Sequence, residues 1–178
     1  MTTHPPAVAF VAPSGTGKTT LVEAVIGVLR ARGRRVGALK HDAHDFTIDH
    51  PGKDSHRFTR AGAATCVIAS ASQVAIVRKT EEAWSLERVL ATAFADEDVV
   101  LVEGFKTSDL PKIEVHRAAT GRDLLTRGED PTLRAVASDE PLDLDVPRLD
   151  LNRPEEVADF VEAQIIERRA AETAPRTT

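Results

Sequence analysis

Short apolar runs alternate along this chain with longer segments in which apolar residues recur every three or four positions. The first pattern predicts buried strands, and the second predicts helices packed on one face. Because the two patterns alternate, we expect an α/β fold with a mostly parallel central sheet and helices on both faces. The predicted strands are 8–11, 36–39, 65–69, 74–77, 99–102, 112–116 and 133–137, and the predicted helices include 21–29, 54–62, 86–93 and 157–165.

Two features depart from a buried parallel sheet. The linker Ala71-Ser72-Gln73 is too short for a parallel crossover, so strands 65–69 and 74–77 are predicted to form an antiparallel hairpin. The segment Lys112–His116 alternates polar and apolar residues, which is typical of a half-exposed strand. We expect that strand at a sheet edge or a subunit interface.

Length and composition limit the organisation of the chain. Its 178 residues, of which 42% are apolar, predict one globular domain over 7–170 with flexible tails at 1–6 and 171–178. A net charge of −5 argues against duplex nucleic acid or an anionic membrane as a partner. No apolar run is long enough to span a bilayer, and the lone Cys66 excludes an internal disulfide. We therefore expect a cytoplasmic protein.

The segment that joins the first strand to the first helix has the sequence of a P-loop. It reads A-P-S-G-T-G-K-T-T and departs from G-x-x-x-x-G-K-[ST] only in Ala12, whose methyl group fits if the backbone keeps a negative φ. The alternative is a glycine-rich turn without a ligand. The pattern predicts a site for a nucleoside triphosphate, whose phosphates are held by backbone N–H groups and the helix dipole. Lys18 is expected to contact the β- and γ-phosphates and to take part in catalysis, and the Thr19 hydroxyl is expected to bind Mg²⁺. The residues assigned to this site are Ser14, Gly15, Thr16, Gly17, Lys18, Thr19 and Thr20.

A second chemical feature is the acid that ends the apolar run 99–102. In a P-loop protein, the strand beside the P-loop ends near the γ-phosphate, where an acid holds Mg²⁺ through water or orients the attacking water. Glu103 is therefore a candidate metal-binding and catalytic residue. The alternative is a solvated strand end.

The polar stretch 40–57 contains four histidines and four aspartates. Three interpretations stay open. In a switch loop that approaches the nucleotide, Asp42 joins the Mg²⁺ shell and catalysis, while Lys53 and Arg57 meet phosphate or a second anionic ligand. In a transition-metal site, imidazoles and carboxylates are the ligands, although the spacing matches no known zinc pattern. In a solvated surface loop, neither role applies.

Taken together, these motifs resemble the MobB family of accessory proteins in molybdopterin-guanine dinucleotide biosynthesis. The matching motifs are G-T-G-K-T-T, K-H-D-A-H-D-F-T-I-D-H-P-G-K-D-S, L-V-E-G-F-K and P-K-I-E-V-H-R, within 8–117, followed by A-V-A-S-D at 135–139. The resemblance implies a P-loop GTPase of the signal-recognition-particle and MinD class. It further implies GTP as the nucleotide, a homodimer, weak GTP hydrolysis, and action beside the MobA-like guanylyltransferase that attaches GMP to molybdopterin.

Guanine selection requires a residue outside the P-loop, which contacts phosphates only. GTP-binding P-loop proteins commonly place an aspartate after a late strand, where it accepts hydrogen bonds from guanine N1–H and the exocyclic amine. Asp139 follows strand 133–137 and is our candidate, although the N-K-x-D sequence is absent. The alternative is a polar turn residue before Pro141.

The sequence thus predicts a P-loop domain that binds Mg·GTP and assists assembly of the molybdenum cofactor. Three other functions stay open at this point. A small-molecule kinase would share Lys18 and Thr19 but transfer phosphate to an acceptor. A nickel-insertion GTPase would account for the histidines, but the usual Cys-rich motif is missing. A pure adaptor would bind GTP without hydrolysing it.

Overall fold

A computed structural model describes residues 4–41, 48–126 and 129–173. Contacts group the chain into two compact units, one formed by the chain up to His41 and again from Leu86, the other by the intervening chain up to Ser85. In the described ranges, the helices are all too short or too polar to cross a bilayer.

The elements largely follow the sequence pattern. The strands are β1 Ala7–Val11, β2 Val36–Lys40, β3 Thr65–Ala69, β4 Val74–Arg78, β5 Val99–Glu103, β6 Lys112–His116, β7 Leu133–Ser138 and β8 Arg148–Asp150. The helices are α1 Lys18–Ala31, α2 Asp54–Arg60, α3 Leu86–Ala93, α4 Pro154–Val161 and α5 Arg168–Thr173, with a 3₁₀ turn at Ala118–Thr120 and a π-helical stretch at Glu162–Glu167.

Six strands of the first unit form one sheet in the order β2-β5-β1-β6-β7-β8, and every neighbouring pair is parallel. Along β1, alternate side chains point to opposite faces, as the pleat requires. Phe10 joins a core cluster with Leu29 of α1 and Val157 of α4, while Ala9 joins a second cluster with Leu90 of α3. Helices therefore cover both faces, which confirms the predicted α/β fold class.

The strand Lys112–His116 forms as predicted, but its expected half-exposed position at a sheet edge was wrong. This strand, β6, lies inside the sheet between β1 and β7, and its first four residues are buried. Polar side chains can face inward here because the chain that follows β6 supplies their hydrogen-bond partners, as with Glu114 and Thr126. The short strand β8 was missed, since three residues with mixed polarity give no periodic signal.

The second unit contains α2 and the hairpin β3–β4. The hairpin is antiparallel, as predicted, with Thr65 opposite Arg78 and Ala69 opposite Val74. Val67 lies opposite Ile76, so these two side chains share one face of the hairpin. Both are more than half exposed, at 56% and 65%.

Candidate functional site

The P-loop has the backbone that its sequence requires. Gly15 and Gly17 have φ values of 86° and 87°, in the left-handed region that side chains disfavour. Gly17 caps α1, which begins at Lys18, so the helix N-terminus faces the loop. The loop and Glu103 line a cleft of about 390 Å³. The strand, loop and helix thus occur in the order that a phosphate site needs.

The Ala12 departure is accommodated by the fold. Phe105 is the only non-glycine residue with a positive φ in the described part of the chain, so Ala12 meets the condition set by its methyl group. Ala12 is buried and belongs to the main core cluster. The methyl group packs against the core and leaves the loop geometry intact.

Lys18, Thr19 and Glu103 converge at the carboxyl ends of two adjacent strands, β1 and β5. The Thr19 hydroxyl donates to Glu103 Oε2 at 3.0 Å, and Lys18 Nζ lies 3.6 Å from Glu103 Oε1. The register of the parallel strands explains why these side chains lie close together. Phe10 near the end of β1 pairs with Glu103 at the end of β5, so Glu103 lies beside the P-loop that follows β1. A hydroxyl and a carboxylate side by side are hard oxygen ligands, which fit Mg²⁺.

The polar stretch 40–57 is described only in part. Asp42 and His44 lie outside the described residues. Lys53 and Arg57 belong to the second unit, where Lys53 precedes α2 and Arg57 pairs with Asp54 at 3.3 Å. Within the described ranges, no three His, Cys, Asp or Glu side chains lie close enough together to hold a metal ion.

The strand β5 continues into a strained turn that the sequence did not reveal. Gly104 has a φ of 101°, and Phe105 follows at 51°, an uncommon value for a bulky residue. The ring of Phe105 lies 4.3 Å from the ring of His41, whose backbone N–H donates to the Glu103 carbonyl. A Cβ on Gly104 would come within 3.2 Å of His41. The turn therefore fixes the backbone at Glu103 and immediately after it.

Asp139 follows β7 directly, as predicted, and its carboxylate has partners within the protein. Its Oδ1 accepts a hydrogen bond from the Ala118 N–H at 2.8 Å, and its Oδ2 lies 3.5 Å from Arg117. The side chain thus ties the end of β7 to the turn that follows β6.

Two arginines near the P-loop were missed by the sequence analysis. Arg117 Nε donates to the Thr16 carbonyl at 3.1 Å, and Arg122 donates to the Ser14 carbonyl at 3.0 Å. A Cβ on Gly17 would lie 3.3 Å from the Arg117 guanidinium. Glycine is therefore favoured here for two reasons: its positive φ and the close approach of Arg117. Lys18 and these two arginines place three positive charges beside the P-loop, of which Lys18 pairs with Glu103 and Arg117 with Asp139.

The segment that carries the arginines is anchored to β6 by a buried carboxylate. Glu114 is fully buried and accepts hydrogen bonds from the Leu125 and Thr126 backbone N–H groups and from the Thr126 hydroxyl. Lys112, also buried, donates to Thr132 and pairs with Asp130 at 3.1 Å. These bonds hold this segment at its middle, residues 125–126, and near its C-terminal end, residues 130–132.

The chain is similar to known proteins in both sequence and structure. The chain is 43% identical over 159 residues to the molybdopterin-guanine dinucleotide biosynthesis adapter protein of Escherichia coli (strain K12), covering 88% of this chain and 91% of that protein. It is 42% identical over 151 residues to the Haemophilus influenzae adapter protein, covering 84% and 83%.

Solved structures give the same result. A crystal structure of molybdopterin-guanine biosynthesis protein B superimposes with a TM-score of 0.71 at 27% identity, covering 87% of this chain and 97% of that chain. The structure of Bacillus subtilis MobB, at 22% identity, shares the fold with a TM-score of 0.69, over 90% of this chain and 97% of that one. Residues 7–139 match the family described as MobB, molybdopterin guanine dinucleotide synthesis protein B. The chain therefore belongs to the MobB family.

Proposed function

We propose that this chain is a GTP-binding adapter protein of molybdopterin-guanine dinucleotide biosynthesis in the cytoplasm. The observation that carries the proposal is the convergence of Lys18, Thr19 and Glu103 at the mouth of the P-loop. The names of the relatives support the pathway, and the P-loop supports a nucleotide. GTP, rather than another nucleotide, follows from the family resemblance. The guanylyltransferase that attaches GMP to molybdopterin is the proposed partner, with molybdopterin as a second ligand.

Each residue has a proposed role toward the nucleotide. The N–H groups of 14–20 hold the phosphates, and Lys18 neutralises the β- and γ-phosphates. Thr19 and Glu103 would hold Mg²⁺, which would neutralise the charge that develops on the phosphates, and Asp42 would be a further ligand. Glu103 would also orient the attacking water in a weak GTP hydrolysis. Lys53 and Arg57 supply positive charge to phosphate or to a second anionic ligand.

Asp139 is proposed to act on the guanine side of the site by holding the Ala118 turn and Arg117. Since both of its oxygens already have partners, this anchoring is the role that its geometry supports. A direct contact with the base would require one oxygen to accept a further hydrogen bond, for which a carboxylate has lone pairs.

A homodimer is proposed from the exposed apolar face of the hairpin. Val67, Val74 and Ile76 share this face and are exposed by 56%, 62% and 65%. Branched apolar side chains in a continuous exposed patch mark an interaction surface. A second copy of the chain would cover the patch.

The function is tested by Lys18→Ala, which we expect to weaken GTP binding by about 10- to 100-fold. The variant removes a charge-assisted hydrogen bond, which contributes about 1.5–3 kcal/mol. Titration of a fluorescent GTP analogue gives the affinity, and circular dichroism checks the fold. Lys79→Ala is the matched control, because this lysine contacts the Thr59 carbonyl within the second unit. A folded Lys18→Ala protein with wild-type affinity would remove the P-loop from the proposal.

A further inference from the structure

A second cleft lies beside the P-loop, at the carboxyl ends of β6 and β7. Its volume is about 470 Å³, within the range of small-molecule sites, and Leu124, Leu142 and Leu144 form its apolar walls. In open parallel sheets, ligands bind outside the carboxyl ends of the strands, where this cleft lies.

The cleft is joined to the P-loop by one side chain. Arg122 lines the cleft and donates to the Ser14 carbonyl of the P-loop at 3.0 Å. A nucleotide whose phosphates occupy the P-loop can therefore extend along Arg122 and place its base in the cleft. The planar guanidinium offers a surface on which a base can stack.

The polar groups of the cleft are suited to hydrogen-bond donors. Glu140 and Asp123 both line it, and Glu140 Oε1 contacts His116 Nε2 at 2.8 Å. In the part of the chain that the structure describes, neither Glu140 Oε2 nor the Asp123 carboxylate accepts a hydrogen bond from a protein group. Ionised carboxylates only accept hydrogen bonds, so a ligand that pairs with them presents hydrogen-bond donors such as N–H groups.

We propose that this cleft binds a base with a 2-amino-4-oxopyrimidine edge, the guanine of a nucleotide, and that Glu140 reads its N1–H and amino groups. Adenine presents an acceptor at N1 and is disfavoured opposite a carboxylate. Asp139 instead anchors the Ala118 turn at the rim of the cleft. This assignment rests on the proposed function, because the phosphates must lie in the P-loop.

The test compares ligands that share phosphates but differ in the base. GTP, ITP, ATP and inorganic tripolyphosphate are titrated calorimetrically into the wild-type protein, Glu140→Gln and Asp123→Asn. We expect Glu140→Gln to lower GTP affinity by about tenfold or more, because a carboxylate that pairs with both donors is lost, and to leave tripolyphosphate affinity unchanged. Asp143→Asn is the matched control, since Asp143 lies between two cleft leucines but does not line the cleft.

The outcomes separate this inference from the proposed function. Tripolyphosphate binding combined with equal affinities for GTP and ATP would overturn the cleft assignment alone. The same holds if Asp139→Asn, and not Glu140→Gln, changes the preference between GTP and xanthosine triphosphate. Pterins carry the same edge, so stronger binding of free pterin than of guanosine would overturn guanine as the occupant. A wild-type protein that binds neither GTP nor tripolyphosphate would overturn the proposed function itself.

Discussion

Arg117 touches three parts of the candidate site at once. It donates to the Thr16 carbonyl, approaches Gly17 and contacts Asp139, while the neighbouring N–H of Ala118 donates to the same carboxylate. A planar guanidinium presents its donors in a fixed fork, a geometry that the ammonium group of a lysine does not supply. At the residue scale, Arg117 therefore fixes the P-loop relative to the end of β7.

We expect Arg117→Ala to weaken GTP binding by about tenfold, because the P-loop carbonyl and the Asp139 carboxylate lose a shared charged donor. Arg117→Lys keeps the positive charge but not the planar set of guanidinium donors, so it should recover only a small part of the lost GTP affinity. Calorimetric titration measures both. Arg134→Ala is the control, since Arg134 also donates to backbone carbonyls but at the opposite end of β7. GTP affinity equal to wild type in Arg117→Ala would contradict this role.

The sequence predicted those residues of the site whose positions follow from local motifs. Lys18 and Thr19 are fixed by the P-loop itself, and Glu103 by the general rule that parallel strands end together. Arg117 was missed because it meets Thr16 from 101 positions away, a distance at which no periodicity or motif carries a signal. Glu114 was missed because a pattern shows that a face is polar, but not that another segment will cover it.

At the scale of elements, two arginines at the end of α1 hold the start of the π-helical stretch. Arg34 Nε and Arg32 Nη1 donate to the two Glu162 oxygens at 2.8 and 2.7 Å, and Arg32 also pairs with Asp159. The hydrogen bond from Arg34, followed by that from Arg32, holds the pKa of Glu162 below its ordinary value although burial opposes the shift. The contact joins α1 to α4 outside the apolar core.

We expect Glu162→Gln to lower the free energy of unfolding by about 1 kcal/mol at pH 7. A depressed pKa in the folded state stabilises the protein above the ordinary value of 4.5, and that stabilisation is lost as pH falls through the folded value. The difference between variant and wild type should therefore shrink below pH 4.5. Urea unfolding at pH 7 and at lower pH measures it, with exposed Glu81→Gln as control. A difference independent of pH would show that the ion pairs do not cause it.

At the scale of the whole molecule, the proposed homodimer predicts that the exposed hairpin face determines the oligomeric state. Ile76→Asp places a charge in the exposed apolar patch, which should prevent a second copy from covering it. We expect sedimentation velocity to show a dimer for the wild type and a monomer for the variant. Glu82→Asp, an exposed acid outside the hairpin strands, is the control. A variant that stays dimeric would place the interface elsewhere.

The two metal chemistries considered for the polar stretch 40–57 predict opposite effects of substitutions on GTP hydrolysis and on metal binding. In a Mg²⁺-dependent switch, Asp42→Ala and Glu103→Ala should slow GTP hydrolysis, whereas His44→Ala and His50→Ala should change it little, because Mg²⁺ prefers oxygen ligands. The meeting of Thr19 and Glu103 favours this first case.

In a transition-metal site, the order is reversed. Loss of one imidazole ligand should then weaken zinc or nickel binding strongly. Hydrolysis rates and metal titrations of the same four variants, measured together, distinguish the cases. We expect the result of the Mg²⁺-dependent switch, since the oxygen ligands beside the P-loop favour Mg²⁺, which does not need imidazole ligands. A tight, histidine-dependent metal site, with hydrolysis indifferent to Glu103, would exclude the switch.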